Sequence, residues 1–576
     1  MSRELTPATR IETLRKEAKR WLKALRAADP AARGRLAEAL ASPPPEAGLR
    51  HVQLALAREY GLPGWTELKA AAEALAADRL SRRERIDAVL RHGWGGDAAL
   101  ARRIVERDPG LSRDSLAMAC VCGGLEEVER RLKADPAAAT RKSGPLDWEP
   151  LLYLAYSRVP GPGEANAVEI AARLLDAGAD PNANFNDGWD NPFTVLCGVI
   201  GLGEGVKPPH AHDVELAELL LDRGAEPFDT QALYNTSIVG DDTSWNERLW
   251  ARSAARGETA RWNDPEHKPR LGGRFNLGAL DYLLGNAVGQ NHVRRTAWLL
   301  EHGAHATAPH AYTGHSLHEM AQLDGFAEIQ TLLEEHGAAP VELQGVHAFQ
   351  AACMRMDEAS ARRLAAEHPD YPLSPGPMIK AASNGRSEVV ELLLSLGADA
   401  KATESDGITA LHRAVQSGSV ETVRRLVEAG AGLETREGRW KGTPLSWSLV
   451  LGKPEMFAYL APISRDLRPL VHAGLGARVA AVLDEEPGLV NFALEGEDAP
   501  TALYCLPDDE AAAADMAALL LQRGADRRVR NAAGQTAAEH LARRGLDEAA
   551  ELIASWQSRL KSALGVQIAG SSFSQI

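Results

Sequence analysis

The sequence predicts an all-α protein, a stacked array of helix-turn-helix units behind a small helical N-terminal module. Three observations carry that expectation. At 576 residues the chain exceeds what one compact core usually supports, so several domains or one elongated array is expected. Aromatic residues make up only 5% while Ala, Leu and Arg are abundant, a mix suited to helices that pack closely through small side chains. A Gly-Ala ending also recurs after apolar runs, in LLDAGAD, LLDRGAE, LLEHGAH, LLEEHGA, LLSLGAD, LVEAGAG and LLQRGAD.

The glycines of that ending are Gly178, Gly224, Gly303, Gly337, Gly397, Gly430 and Gly524, with gaps of 46, 79, 34, 60, 33 and 94 residues. Two gaps lie close to 33, and the larger ones fit multiples of a roughly 30 to 40-residue period. Residues 405–434, SDGITALHRAVQSGSVETVRRLVEAGAGLE, show one unit clearly. A turn at Asp406-Gly407 leads to a helix start at Thr409. Leu411, Ala414 and Val415 form the apolar face of a short first helix. Gly418 ends it, because glycine enters the left-handed cap conformation without steric cost. Val420, Val423, Leu426 and Val427 form the stripe of a second helix, and Gly430 caps that one. Neither helix can bury its face alone, so each unit must stack on neighbours.

These residues resemble the ankyrin-repeat family. The matching motifs are TALH (409–412), SLH (316–318), TPLS (443–446), TALY (501–504) and the Gly-Ala-Asp endings. The resemblance is good over 278–340 and 374–464 and looser over 97–230 and 465–556, about a dozen units in all. It implies L-shaped units with hairpin fingers, stacked into a curved solenoid whose concave side usually binds partners.

Several domains follow. Residues 1–80 carry no repeat ending and are expected to form a helical module that also caps the solenoid. TRIETLRKEAKRWLKALRAADP places Ile11, Leu14, Ala18, Trp21, Leu22 and Leu25 on one helical face, with a basic face opposite. That basic face suits either an anionic membrane surface or simple solvation. The segment from Arg58 to Trp65, REYG…W, is similar to one carried by many bacterial ankyrin proteins, and the Ala/Arg-rich usage suggests a high-GC bacterial source. Divergent repeats are expected over 81–228 and clear ones over 278–464. Further divergent repeats are expected over 465–556, before a flexible tail at 557–576. Residues 229–277 interrupt the pattern with Trp245, Trp250, Trp262 and a Gly/Pro-rich tail, and read as a degenerate unit plus a long insertion. A second insertion, GLGEGVKPPHAHD (201–213), sits inside an earlier unit.

The stretch HGAHATAPHAYTGHSLHEMA, residues 302–321, concentrates five histidines. His318, like His412, fills the last slot of the family's TPLH motif. His302 and His336 sit in the common ending, and His292 lies between two helices. In the family such positions tie adjacent units together. His305, His310 and His315 remain, on the expected finger or its exit. His315 and Glu319 are four apart on a helix and share a face, so with His310 they suit a histidine/carboxylate site. A solvated finger or a partner contact fits them better, since no HExxH or CxxC accompanies them. Asp241 and Asp242 beside Trp245 offer an acid pair in a partly apolar pocket, or an exposed loop anchored by tryptophans.

Other chemistry is hard to place. HAGLGARVA (472–480) lacks the third glycine of a dinucleotide fingerprint, and RWKGTPLS has its Lys441 before the glycine, unlike a P-loop. No GxSxG elbow or kinase set occurs. Neither cofactor nor metal is expected. Cys120 and Cys122 form CxC, and five scattered cysteines fit a reducing cytosol. The net charge of −15 without a long basic run argues against sequence-independent nucleic-acid binding. No signal peptide or membrane span is expected.

Aromatic fingertips offer more. Trp148, Trp189 and Trp440 each precede the TPL-like slot of their units by one to three residues, and Tyr312 sits similarly before His315. Fingertips normally point into water, so repeated aromatics there suit partner contacts, because Trp and Tyr bury large area with few rotors to freeze. Packing of each Trp on the next finger is the alternative. Arg439 and Lys441 beside Trp440 suit an acidic partner. The expected function is therefore a cytoplasmic scaffold that binds another protein through the fingers and inner helices from Trp148 to Trp447. The rival is an enzyme or small-molecule binder with a pocket between 229–277 and the finger carrying His310 and His315, using Asp241, Asp242 and Glu319. Self-association through poorly capped ends is a third reading.

Overall fold

Short helices in antiparallel pairs, stacked side by side, make up most of the described residues. The computed structural model describes residues 3, 5, 9, 11–44, 47–76, 80–95, 98–159, 166–186, 188, 191–203, 208–238, 240–267, 271–494 and 497–556. The architecture is all-α. Strand pairing is short: Asn184–Phe185 with Phe193–Thr194, and isolated bridges such as Ser143 with Trp148 and Thr403 with Thr409. Among the described residues, no helix is long and apolar enough to cross a membrane.

The recurring Gly-Ala ending has one physical cause. All seven glycines take positive φ, between 86° and 99°. In each case the following alanine N–H reaches back to the carbonyl five residues earlier, as Ala431 does to Leu426 at 2.9 Å and Ala304 to Leu299 at 2.9 Å. The glycine N–H bonds the next carbonyl along, as Gly430 does to Val427. This double bond satisfies two orphan carbonyls at the helix end and needs a left-handed residue at the glycine position. The alanine then turns inward: Ala225, Ala304, Ala398 and Ala431 are buried. A larger residue there would hold the stack apart.

The best-defined unit behaves as its sequence predicts. Thr409 caps the helix Ala410–Ser417: its hydroxyl accepts from His412 N, and His412 Nδ1 accepts from Thr409 N at 3.2 Å. Gly418 ends that helix at φ 83°. Ser419 caps Val420–Glu428, and Leu411, Ala414, Val415, Val423 and Leu426 are fully buried.

The chain divides into two units. One joins Arg15–Trp65, with Met1–Ser2, to Gln344–Ile576, and the other joins Arg3–Leu14 to Thr66–Leu343. In the first, a core runs from Phe349 through Leu393, Leu426, Leu470 and Leu520 to Ile553. The helix Ile11–Arg26 buries Leu14, Ala18, Trp21 and Leu22, as the stripe predicts. Its basic face meets protein: Lys19 pairs with Glu510 at 2.7 Å and Asp547 at 3.0 Å, and Arg26 pairs with Glu548 at 2.8 Å. The N-terminal helices therefore dock on the last repeats of this unit. Arg35 lies 3.8 Å from the Trp21 ring and bridges Glu17 and Glu59.

The second unit has its own continuous core from Val89 to Ala338. Residues 229–277 contribute a helix pair, Thr230–Ser237 and Ser244–Ala255. Trp262 is fully buried beyond it and donates from Nε1 to Ser253 Oγ at 3.0 Å. Trp250, Trp262 and Trp298 pack edge-on or tilted, with centroids 5.2 to 6.5 Å apart. The tryptophans of this segment thus serve its core. The expected tail at 557–576 lies outside the described residues.

A candidate docking groove

In the first unit the fingers are laced by backbone bonds. Gly438 N donates to Asp406 O at 2.6 Å, joining the finger 403–409 to the finger 437–442. Ala532 N donates to Glu497 O at 3.1 Å, joining 494–500 to 530–536. Between these pairs the row is broken. Only residues 461–466 connect the helix Pro454–Leu460 to the helix Leu467–His472, too few for a hairpin. Asp466 closes the short connection. Its buried carboxylate accepts from Thr443 Oγ1 at 2.8 Å and Ser446 Oγ at 3.1 Å, and pairs with Arg436 at 2.9 Å.

Where the finger is missing, a groove of about 720 Å³ opens across the inner helices of four units. Trp440 and Lys441 form one wall, and Ala499, His540 and Arg544 stand on the far side. The floor is Trp447, Leu449, Val450, Leu451, Pro469, His472 and Tyr504. Four of the exposed large apolar side chains gather here: Trp440 at 62%, Val450 at 84%, Leu449 and Leu451. Contiguous apolar exposure of this kind marks an interaction site far more often than scattered single residues do.

The finger that carries Trp440 is rigidly built. Glu437 is buried at 1% exposure, and its carboxylate accepts from the backbone N–H groups of Arg439, Trp440 and Gly442 at 2.6, 2.8 and 3.0 Å. Lys441 holds a left-handed φ of 55°, and its Nζ donates to Gly438 O at 2.7 Å. His412 reaches over from the preceding unit, its Nε2 3.1 Å from Gly442 O. Burial is the main force holding that imidazole below its ordinary pKa, so it is neutral, and Nε2 donates to the carbonyl. Gly442 is required by close approach: a Cβ there would stand 3.0 Å from the Trp447 ring. Trp440 and Trp447 meet edge to face at 6.2 Å, and the Arg439 guanidinium lies 4.9 Å from the Trp440 ring.

The charge of the groove lining is one-sided. Its charged lining residues are Lys441, Arg468 and Arg544, with no carboxylate among the described lining. Arg544 is anchored, donating to the carbonyls of Tyr504 and Leu506 and pairing with Asp508 at 2.7 Å. Burial, with Arg544 adding to it, holds His540 below its ordinary pKa.

The other sequence-predicted residues are dispersed. Trp148 is buried, stacked on Phe185 of the following finger at 4.4 Å and tilted against Tyr153 and Tyr156, so it is closed to a partner. Trp189 lies outside the described residues. Tyr312 is exposed, its hydroxyl 3.0 Å from that of Tyr282.

Asp241, Asp242 and His310 of the rival pocket have structural duties. Asp241 accepts from Arg294 N and Arg295 N, capping the helix Val293–Glu301. Asp242 accepts from Ser244 N and Oγ, and that hydroxyl leads in holding its pKa below the ordinary value. A general acid needs the opposite shift. His310 bonds Thr313 and donates from its backbone N to His315 O at 2.9 Å, His315 is exposed, and Glu319 N donates to the capping hydroxyl of Ser316. The segment 271–277 lies along their finger, with Arg274 N donating to Ala311 O at 2.7 Å. His318, buried, bonds Glu334 at 2.8 Å and accepts from Val341 N, while His302 stacks on Trp298 at 4.0 Å. No group of three or more His, Cys, Asp or Glu among the described residues can hold a metal ion. Burial pushes the Cys122 thiol up to about 12 and Cys120 higher still.

Sequence reasoning found Trp440, Trp447, Arg439 and Lys441 but missed Leu449, Val450, Leu451 and the absent finger. Both signals are present: three apolar residues in a row after TPLSW, and a shortened LAPISRDL where a finger belongs. No curated protein matches the chain. Residues 378–468 match a family model of ankyrin repeats in three copies, a span that includes the finger of Trp440 and the shortened connection beside it. With the same cap geometry repeated from Gly178 to Gly524, the chain is an ankyrin-repeat protein.

Proposed function

We propose that this chain is a cytoplasmic binding scaffold that docks a partner protein in the groove between Trp440 and His540. The gathering of Trp440, Leu449, Val450 and Leu451 on one face, beside a gap in the finger row, carries the reading. Docking would cover these side chains and gain about 1.5 to 3 kcal/mol for each one fully buried. The pedestal beneath Trp440 is already ordered, so little conformational freedom is lost there on binding. Five cysteines without a disulfide suit the reducing compartment in which we place it.

The test uses a photo-crosslinking amino acid at position 450 of the full chain, illuminated in lysate of the native host. The expected result is one protein crosslinked in high yield, lost when Trp440→Ala is added while circular dichroism is unchanged. Equal crosslinking with and without Trp440 would overturn the reading.

A further inference from the structure

We infer that the groove is specific for an acidic segment of a partner protein that carries a bulky apolar side chain; this rests on the docking reading above. Charge is the first argument. The chain as a whole is strongly acidic, at −15, yet this groove is lined by Lys441, Arg468 and Arg544 without a carboxylate. Among the described residues, Arg439, Lys441 and Arg468 make no ion pair within 4 Å. Lys441 spends one donor on Gly438 O, and Arg439 lies over Trp440, so both keep donors for an incoming carboxylate. The nearest acid of the finger, Glu437, is already cradled by backbone N–H groups. A basic segment would meet Lys441 and Arg468 with no carboxylate of the lining to offset them, and the penalty grows as the apolar floor is dried.

The second argument is the broken finger row. Elsewhere in this unit, a finger's tip carbonyl accepts from the next finger: Asp406 O from Gly438 N, and Glu497 O from Ala532 N. Aligned on the left-handed residues Gly407 and Lys441, Trp440 takes the register of Asp406. No finger follows it. An extended partner segment laid in the gap would present backbone N–H groups to the Trp440 edge and an apolar side chain to Val450 and Trp447. Its flanking carboxylates would meet Arg439 and Lys441 at one end and Arg468 at the other.

The probe is a phage-displayed library of random 12-residue peptides, panned on the full-length chain and on its Trp440→Ala, Val450→Ala double variant. Peptides selected by the wild type and lost on the variant are expected to be net acidic with at least one Leu, Ile, Phe or Trp. Synthetic copies should bind about tenfold more weakly to Arg439→Glu, Lys441→Glu, and about tenfold more weakly at 300 mM than at 50 mM salt. Groove-dependent peptides that are neutral or basic, or acidic ones indifferent to the charge reversal, would overturn the acidic assignment while docking stands. Selection of no groove-dependent peptide would overturn both. Sedimentation of the wild type and double variant covers one other occupant: a dimer lost in the variant would assign the groove to a second copy and overturn the proposal.

Discussion

Trp148 and Trp440 both belong to fingers, two positions apart in register, and meet opposite fates. Each sits beside a non-glycine residue in left-handed conformation, Asp147 at φ 53° and Lys441 at φ 55°. Trp148 is sealed by Phe185 on the next hairpin, and Trp440 stands in solvent because no hairpin follows it. The side chain does not decide between core and contact surface. Its register within the finger and the length of the next connection do.

The sharpest way to break this comparison is to truncate both. Trp148→Ala should cost about 3 to 5 kcal/mol of stability, and Trp440→Ala within about 0.5 kcal/mol, in urea titrations followed by circular dichroism. Similar costs would mean that Trp440 is a packing residue after all.

Acid should strike the closed side through His210. Burial first, then Arg158 and His212, push this imidazole down to about 4, and its Nδ1 accepts from His212 N, so the native form is neutral. The unfolded chain takes up the proton near the ordinary value of about 6.5. The stabilising contribution is therefore full above about 6.5 and is lost as pH falls toward 4, on the order of 2 to 3 kcal/mol. His210→Gln should flatten the stability of residues 66–343 over that window. An unchanged slope would place the sensitivity elsewhere.

For partner binding the ranking reverses. Trp440→Ala should lower affinity by about 2 kcal/mol, roughly thirtyfold, in a titration with the crosslinked partner. Phe185→Ala sharpens the comparison with the smallest effect. It removes about 1 kcal/mol of aromatic pairing, and acrylamide quenching of tryptophan fluorescence should rise as Trp148 becomes accessible. Unchanged quenching would show that Tyr153 and Tyr156 suffice as its cover.

Most of the fold was legible because the helix cap writes itself into sequence: only a Gly followed by a small residue makes the double bond at Gly430-Ala431 and then turns inward. Histidine roles were legible for the same reason, since His412 and His318 hold fixed slots relative to their caps. The site was half legible. Trp440 could be placed at a fingertip by register, but its exposure depends on what the next unit lacks, a property of residues 461–466 and not of the finger. Trp148 shows the converse, its burial set by Phe185 thirty-seven residues on. The basic face of Ile11–Arg26 was likewise silent about its use, because its partners Glu510, Asp547 and Glu548 lie at the far end of the chain.

That last pairing bears on how the molecule is made. The bonds from Lys19 to Asp547 and from Arg26 to Glu548 span 528 and 522 residues. At a synthesis rate of about 5 to 20 residues per second, the N-terminal helices leave the ribosome roughly 25 to 100 seconds before their docking partners exist. Throughout that interval Lys19 and Arg26 have none of their acids to pair with. The repeats between can stack as they emerge, each on its predecessor, but the ion pairs that tie the N-terminal helix to the last repeats form only once residues 510–548 have emerged. Truncation after residue 508 would leave Lys19 and Arg26 without their acids at any time.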